Sequence, residues 1–169
     1  MNQQPDVSMV KRITILGLTA ALVTVATMII QIPIPSGYIH AGDTIIIFTA
    51  VFFGPFYGAV AGGIGSMLAD LLSSYAVWAL PTLIVKSVMG FIIGRLCYKP
   101  DKVVINMQTY LGISAGILWM VFGYYLLGGL LVDSFEIALA SVPFNLIQGI
   151  GGMLLFVPLG MALKGKLKL

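Results

Sequence analysis

Six polar or ionisable residues stand inside or at the mouths of long apolar runs, where each needs a physical reason. Lys86 interrupts "ALPTLIVKSVMGFIIG", Asp70 closes "GAVAGGIGSMLAD", and Asn145 and Gln148 sit three apart in "PFNLIQG", on one face of any helix. His40 and Asp43 share the short polar stretch "GYIHAGD", which opens a strongly apolar run. A charge inside a membrane segment costs about 2.5–3.5 kcal/mol on insertion scales, so it must face a partner or a wet cavity. Two readings stand for Lys86 and Asp70: a structural ion pair, or part of a pocket wall, and the two can coexist. Asp43 is placed to cap the N-terminus of the helix it opens. His40, the single histidine, is placed either as a solvated loop residue or as a ligand in a lid. This chemistry suits recognition of a small polar molecule. No serine or cysteine has a plausible base, and one histidine without a carboxylate cluster makes no metal site.

The elements that must position these residues are membrane helices. The 169 residues predict one domain, 1–169, and they are 59% hydrophobic and 9% charged, with a mean hydropathy of +1.05. Soluble domains carry about 25% charged residues, so most of this surface has to meet lipid. Cys97 is the single cysteine, which excludes an internal disulfide and reads as a small apolar filler. "MNQQPDVSMVKR" precedes an apolar run too long for a signal peptide, with no convincing cleavage site, so the first helix is expected to stay.

Hydropathy and breakers predict an all-α integral membrane protein with six transmembrane segments, at about 13–31, 43–53, 55–74, 79–98, 107–130 and 135–163. Pro33 and Pro35 hold the first connection as a loop. Gly54-Pro55 separates a short second segment from the third, and Pro55 suits a first helical turn. With both termini cytoplasmic, Lys11, Arg12, Arg95, Lys99, Lys102, Lys164, Lys166 and Lys168 all fall inside, and Asp43, Asp133 and Glu136 fall outside. Lys86 alone of the basic residues lies in the middle of a span. This is the positive-inside distribution. Gly54, Gly58, Gly62 and Ser66 repeat every four residues and predict close helix packing by the third span.

A helical rise of about 1.5 Å per residue sets depths. Lys86 falls ~10 Å below the outer end of its span, Asp70 ~6–7 Å, Tyr124 ~9 Å and Asn145 ~13–15 Å. Polar groups from four helices thus meet in the outer half, under Trp78, Tyr38 and His40. The expected site is a pocket open to the outside, lined by Lys86, Asn145, Gln148, Tyr124, Trp78, Tyr38, His40 and Asp70. Trp78 serves equally as lid or interfacial belt, and Tyr125 reads as belt. "GMALKGKL" carries the glycine and lysine spacing of a phosphate-binding loop, but Leu167 stands where Ser or Thr must bind magnesium and a membrane helix precedes it. No nucleotide site, cofactor, metal or nucleic-acid surface is expected.

"YIHAGDTIIIFTAVFFGPFYGAVAGGIGSMLADLL" is similar to the pattern of the S components of energy-coupling factor (ECF) vitamin transporters. His40, Gly42, Asp43, Gly54, Pro55, Gly58, Gly65 and Asp70 stand at matching positions. "WALPTLIVKSVMGFIIG" resembles that family's fourth span and "PFNLIQG" its sixth; the match covers about four-fifths of the chain and is weakest in the fifth span. The resemblance implies a six-helix subunit that binds a vitamin or precursor under the loop after the first helix. It also implies docking on a transmembrane coupling subunit that carries two ATPase subunits, with no ATP hydrolysis by this chain. Family docking uses an "AxxxA" motif on the first helix. This chain departs from it, offering Gly17 with Ala21 and Ala20 with Thr24. One cation, neutral amides and aromatic rings suit a small, mostly neutral heteroaromatic ligand of the pyridoxine or hydroxymethylpyrimidine class. Riboflavin asks for a larger cavity, and pantothenate asks for a Lys86 that Asp70 leaves free. Two other classes compete. An intramembrane enzyme would pair Asp70 with His40, whose depths do not match. A small channel or scaffold would use the Gly58–Gly62 ladder.

Overall fold

The computed structural model describes residues 7–34, 37–100 and 102–164. Among them are six α-helices: α1 Val7–Ile29, α2 Gly42–Phe53, α3 Pro55–Leu71, α4 Ala79–Cys97, α5 Met107–Leu131 and α6 Phe135–Leu163. α1, α4, α5 and α6 are long and apolar enough to cross a membrane. α2 has 12 residues, which is too short to span alone, and α3 has 17, at the short limit for a bilayer. The third helix stops at Leu71, before the expected position 74, and a single 3₁₀ turn, Ala76–Trp78, leads into α4.

Local sequence explains the boundaries. Gly54 (φ 99°) takes a left-handed-side conformation that side-chain-bearing residues avoid, and Pro55 starts α3. Asn106 caps α5 by accepting from Thr109 N–H at 3.2 Å, and Ser134 caps α6 by accepting from Ile137 N–H at 3.3 Å. The connection after α1 is more ordered than a loop: β1 Ile32–Ile34 pairs antiparallel with β2 Gly37–Ile39, setting Pro33 across from Tyr38.

The bundle is apolar inside and out. Ile47, Val51, Phe52, Val85, Met89, Ile93, Ile113, Ile117, Met120 and Phe156 form its core. Leu18, Leu22, Leu118, Phe122 and Leu154 lie exposed on the outer faces, as expected of a surface solvated by lipid. α3 and α4 approach most closely. A Cβ at Gly62 would stand 2.7 Å from Lys86 O, one at Gly58 2.7 Å from Gly90 O, and one at Gly90 would enter the Gly58 backbone. The predicted glycine ladder is therefore this helix–helix contact. Thr24 Oγ1 also donates to Gly65 O at 2.8 Å, tying α1 to α3.

The alternating helices give the bundle two unlike ends. Lys11, Arg12, Arg95, Lys99, Lys102 and Lys164 gather at the end where α1 and α3 start and α4 and α6 finish. The hairpin, Asp133 and Glu136 lie at the other.

Candidate functional site

Beneath the hairpin lies a cavity lined by Gly37, Tyr38, His40, Asp70, Trp78, Thr82, Tyr124, Asn145 and Gln148. Its empty space is about 360 Å³, mouth included. Each wall comes from a different element: the hairpin brings Tyr38 and His40, α3 brings Asp70, α4 Thr82, α5 Tyr124 and α6 Asn145 and Gln148. Seven of the eight residues expected at the site meet here. Lys86 is the exception.

Lys86 lies behind the cavity wall, fully buried, and its Nζ donates to Asp43 Oδ1. It also lies 2.9 Å from Met120 Sδ and 5.5 Å from the centre of the Tyr124 ring. Its partner is thus Asp43, and the Lys86–Asp70 ion pair, one of the two readings of the sequence, does not form. The cap expected of Asp43 is also absent: Ala41 takes the N-cap position with no side-chain hydrogen bond, and Asp43 points inward from the first turn of α2. Two buried charges cost far less together than either alone, so Asp43 turns inward to meet Lys86.

Gln148 links this pair to the lid. Its Nε2 donates to Asp43 Oδ2 at 2.9 Å and its Oε1 accepts the His40 backbone N–H at 3.0 Å. The His40 ring, expected in solvent or in contact with ligand, is buried beneath the hairpin. Its Nδ1 accepts from Gly42 N–H at 3.1 Å and lies 3.4 Å from Thr27 Oγ1 on α1. An accepting Nδ1 fixes the neutral tautomer with the proton on Nε2. Burial, then the Lys86 charge, lowers the His40 pKa to about 4.

The opposite wall is held by Asp70. Its Oδ1 accepts from the Tyr38 hydroxyl at 2.6 Å, which locks the hairpin onto α3. Burial, then this bond to a carboxylate, pushes the Tyr38 phenol well above its ordinary value. Asp70 Oδ2 is buried without a well-formed hydrogen bond to the described residues, and the Thr82 hydroxyl, which accepts from Tyr124, is a further donor beside its carboxylate. The Asn145 amide likewise makes no hydrogen bond to the described residues. Rings complete the enclosure: Trp78 meets Tyr124 edge-on at 6.1 Å, and Tyr38 lies 4.3 Å from Tyr75. Tyr124 O–H donates to Thr82 Oγ1 at 3.2 Å.

Two contributors escaped the sequence reading. Thr82 stands one helical turn before Lys86, on the same face, a spacing that could have found it. Gly37 enters through its backbone in the hairpin (φ 108°), which no side-chain chemistry signals. On α1, Ala20 and Thr24 face the bundle, whereas Gly17 and Ala21 remain exposed.

The fold is that of a helical membrane protein with a polar, aromatic-lined cavity enclosed at one end. Residues 7–165 match the family described as ECF-type riboflavin transporter, S component, and the chain belongs to that family, a family of transporter subunits and not of enzymes. The chain is 38% identical over 148 residues to an uncharacterized protein of Pyrococcus woesei, covering 86% of this chain and 96% of that one. It is 31% identical over 149 residues to the thiamine precursor transporter HmpT of Lactococcus lactis, covering 86% and 83%. Half of the chain is also 30% identical, over 86 residues, to a UPF0397 protein of Streptococcus pneumoniae, covering 47% of that protein.

Proposed function

We propose that this S component captures a small, uncharged heteroaromatic vitamin precursor of the hydroxymethylpyrimidine or pyridoxine class for uptake driven by partner subunits. The observation that carries the reading is a pair of polar side chains, Asp70 and Asn145, that line one aromatic-walled cavity with hydrogen-bonding capacity left over. A buried acceptor without a donor is costly, and a ligand with an amino or hydroxyl hydrogen relieves it. The ring faces of Trp78 and Tyr124 favour a flat partner. The name of the Lactococcus relative points the same way.

Riboflavin, which the family's description names, is the second reading. The free space within the cavity is small, which favours one ring over three fused rings with a polyol chain. A carboxylate ligand such as pantothenate is disfavoured, because Lys86 is engaged by Asp43 and Asp70 would repel it. In this proposal the hairpin end faces outward and the basic end lies in the cytoplasm. A coupling subunit carrying two ATPase subunits docks against the exposed Gly17–Ala21 face of α1.

The test is mass spectrometry of small molecules released from the purified, denatured chain, followed by titration of candidates against the tryptophan fluorescence. A pyrimidine or pyridine of one ring is the expected cargo. Asp70→Asn should weaken it by roughly ten- to a hundredfold, the range for a hydrogen bond to a charged group. Release of riboflavin, or failure of every one-ring candidate to bind, would overturn the substrate class.

A further inference from the structure

A second hollow lies at the basic end, far from the hairpin. It is lined by Ser8, Lys11, Arg12 and Ile15 of α1, Phe53 of α2, Tyr57 of α3 and Tyr98 after α4, and holds about 540 Å³ of empty space, its open mouth included. Gly54 shapes it: a Cβ there would stand 3.1 Å from the Tyr98 ring, so the glycine turn seats that ring against the bundle. Neither Lys11 nor Arg12 forms an ion pair among the described residues, and no described acidic residue lines the hollow. The hydroxyls of Tyr57 and Tyr98 make no hydrogen bond to the described residues either. Two cations and two phenols, without partners among the described residues, therefore surround a pocket whose other walls are Ile15, Phe53 and Ser8. Further along α1, Leu18 and Leu22 continue the face of Ile15 at helical spacing and are exposed, as is Phe56 next to Tyr57 on α3.

We propose that this hollow holds the headgroup of one anionic phospholipid, its phosphate between Lys11 and Arg12. The guanidinium fork of Arg12 matches phosphate oxygens in pairs, and the phenol hydroxyls supply further donors. An amphiphile satisfies both halves of the surface, because its acyl chains lie along Leu18, Leu22 and Phe56 while its charge meets the cations. A free anion would leave the rings of Phe53, Tyr57 and Tyr98 uncovered. Basic clefts between helices at the cytoplasmic side of membranes bind such headgroups.

The experiment equilibrates the detergent-purified chain with vesicles of equal phosphatidylglycerol and phosphatidylcholine and counts retained lipids by native mass spectrometry. One phosphatidylglycerol per chain is expected, preferred about thirtyfold from two cations near the surface. Lys11→Gln/Arg12→Gln should bring that preference to within about twofold of unity. Lys102→Gln/Lys164→Gln, which removes equal charge from exposed positions outside the hollow, should keep it. Inorganic phosphate in excess should leave the lipid in place. Equal retention of both lipids, equal loss in the two variants, or release by phosphate alone would each overturn the proposal. So would an indifferent lipid count together with loss of partner-subunit copurification in Lys11→Gln/Arg12→Gln, which would make the hollow a protein-docking surface.

Discussion

Asp43, Lys86 and Gln148 form the most consequential group of side chains, since two charges share a site with no solvent at either. Removing one partner of a buried ion pair costs about 3–5 kcal/mol, because the other is left unpaired, while removing both together is often near neutral. Lys86→Met should therefore lower the unfolding temperature in detergent sharply. Asp43→Asn/Lys86→Met should recover most of the loss; a double variant no better than the single would mean the pair is not the cause. His40 sets a pH dependence. Its pKa falls from 6.5 to about 4 on burial, so the folded state favours the neutral ring. The stability it contributes is complete above pH 6.5 and is lost as pH falls towards 4, a change on the order of 3 kcal/mol. His40→Gln should flatten unfolding temperature against pH in that window, and an unchanged slope would assign it elsewhere. Which residues mattered was legible, because lipid penalises each polar side chain and so marks it. Which pairs form was not. Depth follows from counting residues along a helix, but the choice of Asp43 over Asp70 as the lysine's partner depends on how each helix is rotated about its axis, which no single segment specifies.

At the scale of elements, α3 and α4 are joined backbone to backbone through Gly58, Gly62 and Gly90. Gly90→Ala would push a methyl group into the Gly58 backbone, which no rotamer change relieves. It should cost more than the usual 1–3 kcal/mol of overpacking and weaken ligand binding with it, through the displaced Asp70 and Thr82. Thermal unfolding and a ligand titration on the same sample check this. Gly151, whose added Cβ would meet nothing within 4 Å, is the control expected to tolerate alanine. The helices were legible because each combines an apolar run with a breaker or cap at its ends. The hairpin was not. Its strands have three residues each, too few for any alternation to register, and Pro33 within β1 argues locally against a strand. Its pairing is stabilised from outside, by Tyr38 on Asp70 and by the His40 backbone on Gln148.

The whole molecule separates its charges by end, with cations at one and the polar cavity at the other. That separation was legible from the order of charged residues between apolar segments, and it orients the bundle in the proposed mechanism. The cavity itself was legible as a convergence at one depth beneath Tyr38 and His40, though the strand pairing that holds those residues there was not. Its two sides differ in stiffness. The α3–α4 side is fixed by backbone contact. α6 carries Pro143 two residues before Asn145, so one rung of its hydrogen-bond ladder is missing beside the cavity. A lineage that changes its cargo would therefore find its variation on α6 and the hairpin, where walls can be reshaped without unseating the bundle. The glycines of α3 and α4 would record common descent, and Asn145 and its neighbours would record diet.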